Sequence, residues 1–484
     1  MKRLTILLLF VAATLRADDA AKRALLAEFA DFLSIPNLAS DAPNIARNTA
    51  AIQAMFAKRG IPTRILTLDG APPIVVGDLR ARGATRTIAF YAHYDGQPVD
   101  PKQWQSGPWT PVMHDAAGND VDWRTAPLNP EWRLYARSSG DDKAPIIAMA
   151  AALDTLRNSG RSPAVNIRFV FEGEEEAGSP HLGAYLEKYP DVLRPDTWIL
   201  CDGPVHQSRR MQLVFGARGV VDAELTVYGP VKGLHDGHYG NWVPNPIIRL
   251  THLLDSMRDE SGRILIAHFY DDVKPSSAAE EEAIARMPPV EADLKREFSI
   301  ASTESDNLNE SLMRPALNVR GIQSGHIGAM ASNTIQTEAT ASLDFRLVPA
   351  ETPESIKKLV EQHIESQGYT IVRTTPDAAM RLAHPRIAKL TWGAGYPPAR
   401  TPLDLPLSKQ IATIMKTAGH DPVRVPTLGG SIPMYLFQQP TNTPVLILPI
   451  ANHDDNQHAA NENIRLQNLW DGIEVYVALF VGLR

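Results

Sequence analysis

Short apolar runs alternate with stretches of helical spacing from residue 18 to about residue 207. Residues 87–91, 165–171 and 197–200 have the length and composition of buried strands, and each run is followed by polar residues. Residues 143–158, rich in Ala, Ile, Met and Leu, predict a helix. Strands that alternate with helices are typical of an α/β fold, in which ligands bind at the carboxyl ends of the strands. We therefore expect the polar residues after these strands to form a site at one edge of a sheet.

The pattern changes between residues 208 and 397. Two stretches of helical spacing, 246–258 and 353–366, are interleaved with strand-like runs at residues 220–227, 316–320, 337–347 and 369–373. The order strand, helix, strand, strand, helix, strand is that of a ferredoxin-like α+β unit, so we predict an inserted second domain. Residues 272–313, with three consecutive glutamates at 280–282, interrupt this order and are most simply a solvated surface excursion.

After residue 401 the first pattern returns. A helix is expected at residues 407–417, a strand at 445–448, a loop up to residue 462 and a final helix from residue 465. The first domain is therefore expected to be discontinuous. The predicted organisation is a leader at residues 1–17, the first domain at 18–207 and 398–484, and the inserted domain at 208–397.

Residues 1–17 have the parts of a secretory signal peptide. Lys2 and Arg3 precede the apolar run 4–15, and Ala17 offers a small residue at the expected cleavage point. The apolar run is too short to cross a bilayer comfortably, so a retained anchor is the weaker interpretation. We predict cleavage after Ala17, a periplasmic or secreted protein, and no membrane association once the leader is removed.

Charge and cysteine content exclude several classes of protein. The full chain has a net charge of −7, and loss of the three basic residues of the leader lowers it to −10. A mildly acidic protein offers no electrostatic reason to expect nucleic-acid binding. Cys201 is the only cysteine, so no internal disulfide is possible. Because Cys201 follows an apolar run, we predict a buried small residue and not the nucleophile of a thiol protease.

Five short stretches contain acidic residues or histidine in a proportion that suits zinc. They are residues 91–95, 140–143, 172–179, 201–204 and 457–462. Two zinc ions that share one carboxylate would use all five stretches. His93 and Asp95 are two residues apart, so on extended backbone they share a face, where the carboxylate can orient a metal-bound imidazole. The set predicts a hydrolase with a two-metal site.

Taken together, these stretches resemble the zinc-dependent aminopeptidase-like and aminoacylase metallopeptidase family, and within it the carnosinase-like dipeptidase branch. The resemblance runs from residues 32–36 to the C-terminal helix and is weakest across residues 272–313. It implies an α/β fold: a discontinuous, mixed-sheet zinc-peptidase catalytic domain with an inserted ferredoxin-like α+β domain that acts as lid and dimerisation module. A homodimer formed through the inserted domain is therefore expected.

The resemblance also implies five ligands for two zinc ions, with cobalt or manganese as alternatives: His93, Asp141, Glu176, Asp202 and His458. Asp141 would bridge the two ions and be followed by a cis peptide bond. Glu175 would be the general base, and Asp95 would orient His93. Three carboxylates and one hydroxide balance two Zn²⁺, so the buried cluster would be close to neutral, as the high free energy of burying unbalanced charge requires.

Further matches concern the substrate. Arg346 matches the family's carboxylate-binding arginine, and Gly430 and Ser431 match a loop that lines the same pocket. Asn333 is a further residue expected to bind substrate. His235 matches a histidine that enters the active site of the other subunit and stabilises the oxyanion. The expected reaction is hydrolysis of dipeptides or short peptides with a free C-terminal carboxylate.

Three departures and two rival functions accompany this interpretation. Ala144 stands where glycine is usual, Gln336 stands where proline is usual, and the arginine that often precedes the Gly-Gly-Ser motif is absent. The last departure leaves specificity open, so an N-acyl amino acid deacylase with the same metals is the alternative. A receptor or scaffold that has lost catalysis is disfavoured because all five ligands and the base are present.

Overall fold

A computed structural model describes residues 19–484, so the predicted signal peptide lies outside the described residues. The described helices, in chain order, are α1 (Asp19–Leu33), α2 (Ala42–Ala57), α3 (Lys143–Ser159), α4 (Leu182–Lys188), α5 (Pro190–Leu193), α6 (Asp236–Tyr239), α7 (Pro246–Asp255), α8 (Ala278–Ala285), α9 (Glu291–Glu297), α10 (Leu308–Leu312), α11 (Pro353–Ser366), α12 (Ala378–Ala383), α13 (Pro406–Thr417), α14 (Met434–Gln438) and α15 (Leu466–Gly482). None of these helices has the length and apolar character needed to cross a bilayer.

The described strands, in chain order, are β1 (Thr63–Leu66), β2 (Ile74–Leu79), β3 (Thr87–His93), β4 (Val112–His114), β5 (Arg133–Tyr135), β6 (Asn166–Glu172), β7 (Thr197–Leu200), β8 (Gln212–Val214), β9 (Gly216–Ala217), β10 (Gly219–Tyr228), β11 (Leu234–His235), β12 (Ala316–Gln323), β13 (Thr334–Ile335), β14 (Glu338–Leu347), β15 (Thr370–Val372), β16 (Ile387–Tyr396), β17 (Ala399–Arg400), β18 (Val423–Val425), β19 (Val445–Ile447) and β20 (Asn463–Arg465). The two larger sheets contain thirteen of them.

The larger sheet has eight strands in the order β1-β2-β6-β3-β7-β19-β8-β18. Strands β6, β3, β7 and β19 are parallel neighbours, whereas β1 pairs with β2, β2 with β6 and β19 with β8 in antiparallel fashion. The sheet is therefore mixed, and the predicted α/β class is confirmed at this level. Its strands come from residues 63–214 and 423–447.

Both faces of the eight-stranded sheet are covered. Along β3, Ile88 and Phe90 belong to the core that includes helices α3 and α15, while Ala89 and Tyr91 belong to the core on the opposite face. Strands buried on both faces read as continuous apolar runs, which is why β3, β6 and β7 were visible in the sequence. Cys201, directly after β7, is fully buried, as predicted.

The second sheet has five strands in the order β12-β14-β10-β16-β15, and helices α7 and α11 pack against it. Strand β16 pairs with β10 and takes the fourth position of the ferredoxin-like order, so the assignment of residues 369–373 to that position was wrong. Residues 370–372 instead form β15, parallel to β16 at the edge of the sheet.

Two glycines explain why β16 was missed. Glycine in a strand lowers its β propensity and often marks a close backbone approach. A Cβ at Gly395 would lie 2.7 Å from the carbonyl oxygen of Val220, and a Cβ at Gly393 would clash with the carboxylate of Asp222. The close packing of β16 on β10 therefore requires glycine at both positions. The same two glycines lower the β propensity of the segment, so the sequence does not identify it as a strand.

The acidic run at residues 280–282 is not wholly solvated. Glu280 is 8% exposed, closes a capping box with Ser277 at the start of α8, and forms a 3.0 Å ion pair with Arg400. Glu281 and Glu282 are exposed, as expected. Helices α8, α9 and α10 lie within residues 272–313, so the interpretation of this segment as a surface excursion was only partly right.

Candidate metal centre

The candidate ligands lie at the carboxyl ends of parallel strands. Strand β3 ends at His93, opposite Glu172 at the end of the neighbouring β6. A 3₁₀ turn, Glu175–Ala177, follows β6, and Asp202 follows β7. Because these three strands run in the same direction and end at one level, their following residues meet at one edge of the sheet.

Two groups of side chains at this edge could each hold a metal ion. One group is His93, Asp141 and Asp202, and the other is Asp141, Glu176 and His458. Within each group the potential ligand atoms lie within 4.8 Å of one another. The two groups contain the five ligands expected from the sequence and share Asp141.

Asp141 faces the two groups with different oxygens. Its Oδ1 lies 2.8 Å from Nε2 of His93, and its Oδ2 lies 3.2 Å from Nε2 of His458. The same nitrogen of His458 is 3.2 Å from Oε2 of Glu176. A carboxylate with one oxygen on each side is the arrangement that a bridging ligand requires.

The next residue, Asp142, belongs to neither group. A cis peptide bond joins Asp141 to Asp142. Oδ2 of the Asp142 carboxylate accepts a 3.2 Å hydrogen bond from the backbone amide of His93. Burial raises the pKa of Asp142 well above its usual value. The geometry favours Asp141 as the shared residue.

Asp95 connects His93 to the turn that carries the glutamates. Its Oδ1 lies 3.4 Å from Nδ1 of His93. Its two carboxylate oxygens also accept 3.0 Å hydrogen bonds from the backbone amides of Glu175 and Glu176. One buried carboxylate can therefore orient the imidazole and fix the backbone of both glutamates.

Glu462 holds the loop before Asp141. In the sequence it was recognised only as the last residue of the polar stretch 457–462. Its Oε1 accepts hydrogen bonds of 2.9 Å from the backbone amides of Gly140 and Asp141. Its Oε2 accepts from the amide of Ser138 at 3.0 Å and from Nη1 of Arg137 at 2.7 Å. Residue spacing gave no sign of this role, because the contacts join positions more than 320 residues apart.

Two glutamine side chains also contact the candidate ligands. Nε2 of Gln457 donates a 2.8 Å hydrogen bond to Oδ2 of Asp141, and Nε2 of Gln97 donates one of 2.8 Å to Oε2 of Glu176. Amide donors of this kind fix the orientation of a ligating carboxylate. Gln457 directly precedes His458, and Gln97 lies two residues after Asp95, so both were within reach of a motif search.

The donor set fits divalent cations. Burial raises the pKa of Asp202 to about 7, and the neighbouring carboxylate of Asp141 adds to the effect. Hydrogen bonds to Asp141 and Glu176 raise the pKa of His458 to about 10. Oε1 of Glu176 is buried and has no hydrogen-bond partner among the described residues. Crowded carboxylates with an unpaired buried oxygen, beside two imidazoles, match the ligands that zinc prefers.

Glu175 lies beside both groups and belongs to neither. Its Oε2 is 3.9 Å from Nε2 of His93, and its side chain is 20% exposed. Burial raises the pKa of its carboxyl group well above the usual value. The side chain lines a small cavity together with Asp202 and Pro433. A carboxylate with a raised pKa and access to solvent is suited to accept a proton.

Three of the four expected substrate residues lie together. Nε of Arg346, on β14, donates a 2.7 Å hydrogen bond to Asp344, and Nη1 donates one of 2.9 Å to Oγ of Ser431. Gly430 is exposed, and a Cβ there would meet no atom within 4 Å. The segment 430–431 therefore borders open space beside the guanidinium group of Arg346.

Tyr396, which was missed in the sequence, lies near both Arg346 and Glu175. Burial raises the pKa of its hydroxyl group to about 12, the charge of Arg346 lowers it, and the charge of Glu175 raises it further. Its ring stacks on that of Tyr435 at a centroid distance of 5.7 Å. Tyr396 is thus within electrostatic range of both Arg346 and the candidate base.

His235 and Asn333 are placed elsewhere. His235 lies on β11, which pairs with β13, and Asn333 directly precedes β13. The carbonyl oxygen of Asn333 accepts a 3.1 Å hydrogen bond from the amide of Asp236. The side chain of His235 is 54% exposed. Across residues 19–484, no hydrogen bond or ion pair joins either residue to the candidate ligands, so one chain does not bring them to the cluster.

Comparisons with known proteins identify a family and several relatives. A sequence profile of peptidase family M20/M25/M40 matches residues 89–481. The Cys-Gly metallodipeptidase dug1 of Schizosaccharomyces pombe is 26% identical over 466 residues, which cover 92% of each chain. The Beta-Ala-His dipeptidase of Mus musculus is 27% identical over 423 residues, which cover 85% of this chain and 80% of that protein.

Solved structures show the same fold. The M20 family metallo-carboxypeptidase Sso-CP2 from Sulfolobus solfataricus superposes with a TM-score of 0.74 at 26% identity, covering 95% of this chain and 98% of that chain. Because the family profile spans well over half of the sequence, the chain belongs to peptidase family M20/M25/M40 and is a metal-dependent peptide hydrolase. The family resemblance drawn from the five polar stretches is confirmed.

Proposed function

We propose that this member of the family is a dipeptidase with two zinc ions that hydrolyses dipeptides or short peptides with a free C-terminal carboxylate. The observation that carries the proposal is the position of Asp141, which contributes one oxygen to each of two ligand groups while Glu175 stays outside both. His93 and Asp202 would complete one zinc site, and Glu176 and His458 the other. Cobalt or manganese could occupy the same ligands.

The side chains around the zinc sites suggest how the reaction proceeds. Two bound cations would polarise the scissile carbonyl group and lower the pKa of a water molecule. Glu175 would accept the proton of that water and pass it to the leaving amine, since its carboxyl group is free of the ligand groups and has a raised pKa. Asp95 would keep Glu175 in place through the hydrogen bond to its backbone amide.

Arg346 would recognise the substrate's terminal carboxylate. Two of its nitrogens already bond to Asp344 and Ser431, and these two contacts fix the guanidinium plane. A guanidinium group binds a carboxylate with defined geometry as well as charge. The names of the two dipeptidases above, Cys-Gly and Beta-Ala-His, describe substrates that offer such a carboxylate. Gly430 and Ser431 would line the same pocket.

The five-stranded sheet and its helices would form a lid and dimerisation domain inserted into a discontinuous catalytic domain. Several large apolar side chains close in sequence to His235 and Asn333 are exposed, including Trp242 at 80%, Ile327 at 92% and Met330 at 70%. Exposed apolar surface is typical of protein interfaces, and these side chains would contribute to one. In a homodimer, His235 and Asn333 could then reach the active site of the partner.

We further propose that the protein is exported, in keeping with the composition of residues 1–17.

A substrate panel tests the proposed function. The zinc-loaded protein is assayed against dipeptides, their C-terminal amides, and acetyl and succinyl derivatives of the same amino acids. We expect the free dipeptides to have the highest kcat/KM. A higher kcat/KM for the acylated amino acids would instead establish the deacylase alternative, which uses the same ligands and base.

A further inference from the structure

Arg218 is a second cation next to Arg346, and none of the preceding roles uses it. It lies between strands β9 and β10, and its side chain is partly buried. Nε and Nη2 donate hydrogen bonds of 2.9 and 2.7 Å to one acceptor, the carbonyl oxygen of Gly429. Within residues 19–484, Arg218 forms no ion pair and its Nη1 donates no hydrogen bond, in contrast to most of the buried arginines of this chain.

Arg218 and Arg346 hold the same loop from two sides. Arg218 contacts the loop at Gly429, and Arg346 contacts it at Ser431. Oγ of Ser431 donates in turn to the carbonyl oxygen of Gly219, the residue after Arg218, at 3.2 Å. The exposed Gly430 therefore lies between two guanidinium groups, at the place where the proposed function puts the substrate's carboxylate.

The charge balance of this pocket depends on Arg218. Asp344 is the one carboxylate paired with Arg346 in the described part of the chain, at 2.7 Å, so that ion pair has no net charge. Arg218 adds a second positive charge to the single negative charge of Asp344. Burial and the charge of Arg346 lower the pKa of Arg218 to about 10, with the charge of Asp344 acting in the opposite direction, so Arg218 stays protonated at neutral pH. The three side chains have a net charge of +1, which one substrate carboxylate would neutralise.

We propose that Arg218 is a specificity-determining residue that provides the net positive charge for the substrate's C-terminal carboxylate, while Arg346 provides the directional contact. This inference rests on the proposed function, because it requires a substrate with a free carboxylate in this pocket. Because Arg346 is already paired with Asp344, it would attract the substrate's carboxylate only weakly. Without Arg218, Arg346 would orient this carboxylate but would not strongly favour a free dipeptide over its C-terminal amide. Arg218 would create that preference.

The test compares a free dipeptide with its C-terminal amide, using the ratio of their kcat/KM values. Arg218→Gln should lower this ratio roughly tenfold or more, because it removes the charge. Arg218→Lys should keep most of the ratio, because lysine retains the charge although it cannot reproduce the paired contact to Gly429. Metal content and melting temperature of each variant verify that the fold is intact.

Two results would overturn the proposal. If Arg218→Gln reduces kcat/KM equally for acid and amide, the residue serves only to hold Gly429. If Arg218→Lys behaves like Arg218→Gln, charge is not the determinant. The wild-type enzyme provides a measurement that needs no variant: the KM of the free dipeptide should rise with salt concentration much more than that of the amide, since salt screens the attraction. Equal salt dependence would also contradict the proposal.

Arg346→Ala separates this inference from the proposed function. If Arg346→Ala lowers kcat/KM equally for acid and amide, recognition of the terminal carboxylate by Arg346 is wrong. If Arg346→Ala lowers the acid-to-amide ratio and Arg218→Gln does not, only the role of Arg218 is wrong.

Discussion

The backbone amide of Asp141 donates a 2.9 Å hydrogen bond to Oε1 of Glu462. The same carboxylate accepts three further hydrogen bonds from the loop at residues 137–140 and is fully buried. The candidate bridging residue is therefore held through its backbone by a side chain from the opposite end of the sequence. Glu462 itself is not a ligand in either group.

Replacement of Glu462 by glutamine should weaken metal binding. Glutamine presents N–H donors where the loop also presents donors, so at least one of the hydrogen bonds to residues 138–141 must be lost. Changes to groups that orient a ligand typically lower metal affinity about tenfold to a hundredfold. A zinc titration against a competing chelator measures the effect, with Glu365→Gln on the exposed face of α11 as the control. Unchanged affinity in the Glu462 variant would show that the loop holds Asp141 without it.

Glu175 and Glu176 should respond differently to the same substitution. Glu175→Gln should retain two zinc ions per chain and lower turnover roughly a hundredfold or more, because a positioned base is lost and no ligand is removed. Glu176→Gln should bind less zinc, since Oε2 of Glu176 belongs to the group with His458. Metal analysis and turnover of the two variants, prepared in parallel, check the assignment. The opposite pattern would mean that the roles are exchanged.

Local sequence patterns were sufficient for the ends of the buried parallel strands. Continuous apolar runs identify strands β3 and β7, which lead to the candidate ligands His93 and Asp202. Because neighbouring parallel strands end at the same edge of a sheet, the sequence also predicts that these two side chains lie close together. The choice of Asp141 and Glu176 among neighbouring acidic residues could not come from periodicity. It came from the family motif, and the structure places the selected residues in the two ligand groups.

Long-range contacts were beyond the reach of the sequence. Arg218 and Tyr396 acquire their places only through chain segments that lie far away in sequence, and neither stands in a pattern that marks it. Glu462 belongs to the polar stretch 457–462, but its contacts with residues 137–141 could not be read from that motif. Strand β16 was hidden for a different reason, since Gly393 and Gly395 reduce its β propensity but are needed where it packs on β10. The sequence identifies individual strands and helices more readily than the long-range contacts between them.

A dimer with shared active sites predicts complementation between two inactive variants. His235→Ala and Glu175→Gln should each lower turnover by roughly a hundredfold or more, because one removes a proposed oxyanion donor and the other the base. A heterodimer of the two variants contains one site with both residues intact. Mixed subunits should therefore recover part of the wild-type activity.

The matched control is a mixture of two preparations of the Glu175→Gln variant, which can form no intact site. Heterodimer formation is verified with differently tagged subunits before activity is measured. Verified heterodimers without recovered activity would contradict a role of His235 in the partner's site.

His420 should make the stability of the fold depend on pH. Burial disfavours its charged form, but a 3.1 Å contact with Glu474 and the nearby charge of Asp471 outweigh burial and raise the pKa of His420. A raised pKa in the folded protein means that the stabilisation is fully present below the unfolded value of about 6.5 and is lost as pH rises through the folded value.

The comparison uses wild type and His420→Gln, with melting temperatures measured between pH 6 and 9. The wild type should exceed the variant most at pH 6, and the difference should shrink as pH rises. Burial also raises the pKa of Asp471, so the comparison with His420→Gln, which keeps Asp471, isolates the contribution of His420. A difference that stays constant across the window would show that the charge of His420 does not contribute.

The dinuclear centre itself is tested most directly by anomalous diffraction from crystals of the zinc-loaded protein, with data collected on both sides of the zinc absorption edge. Two peaks roughly 3.5 Å apart are expected in each subunit, with one oxygen of Asp141 directed at each peak. His93 and Asp202 should ligate one ion, and Glu176 and His458 the other. A single fully occupied peak, or a pair of ions bridged by Asp142, would contradict the account.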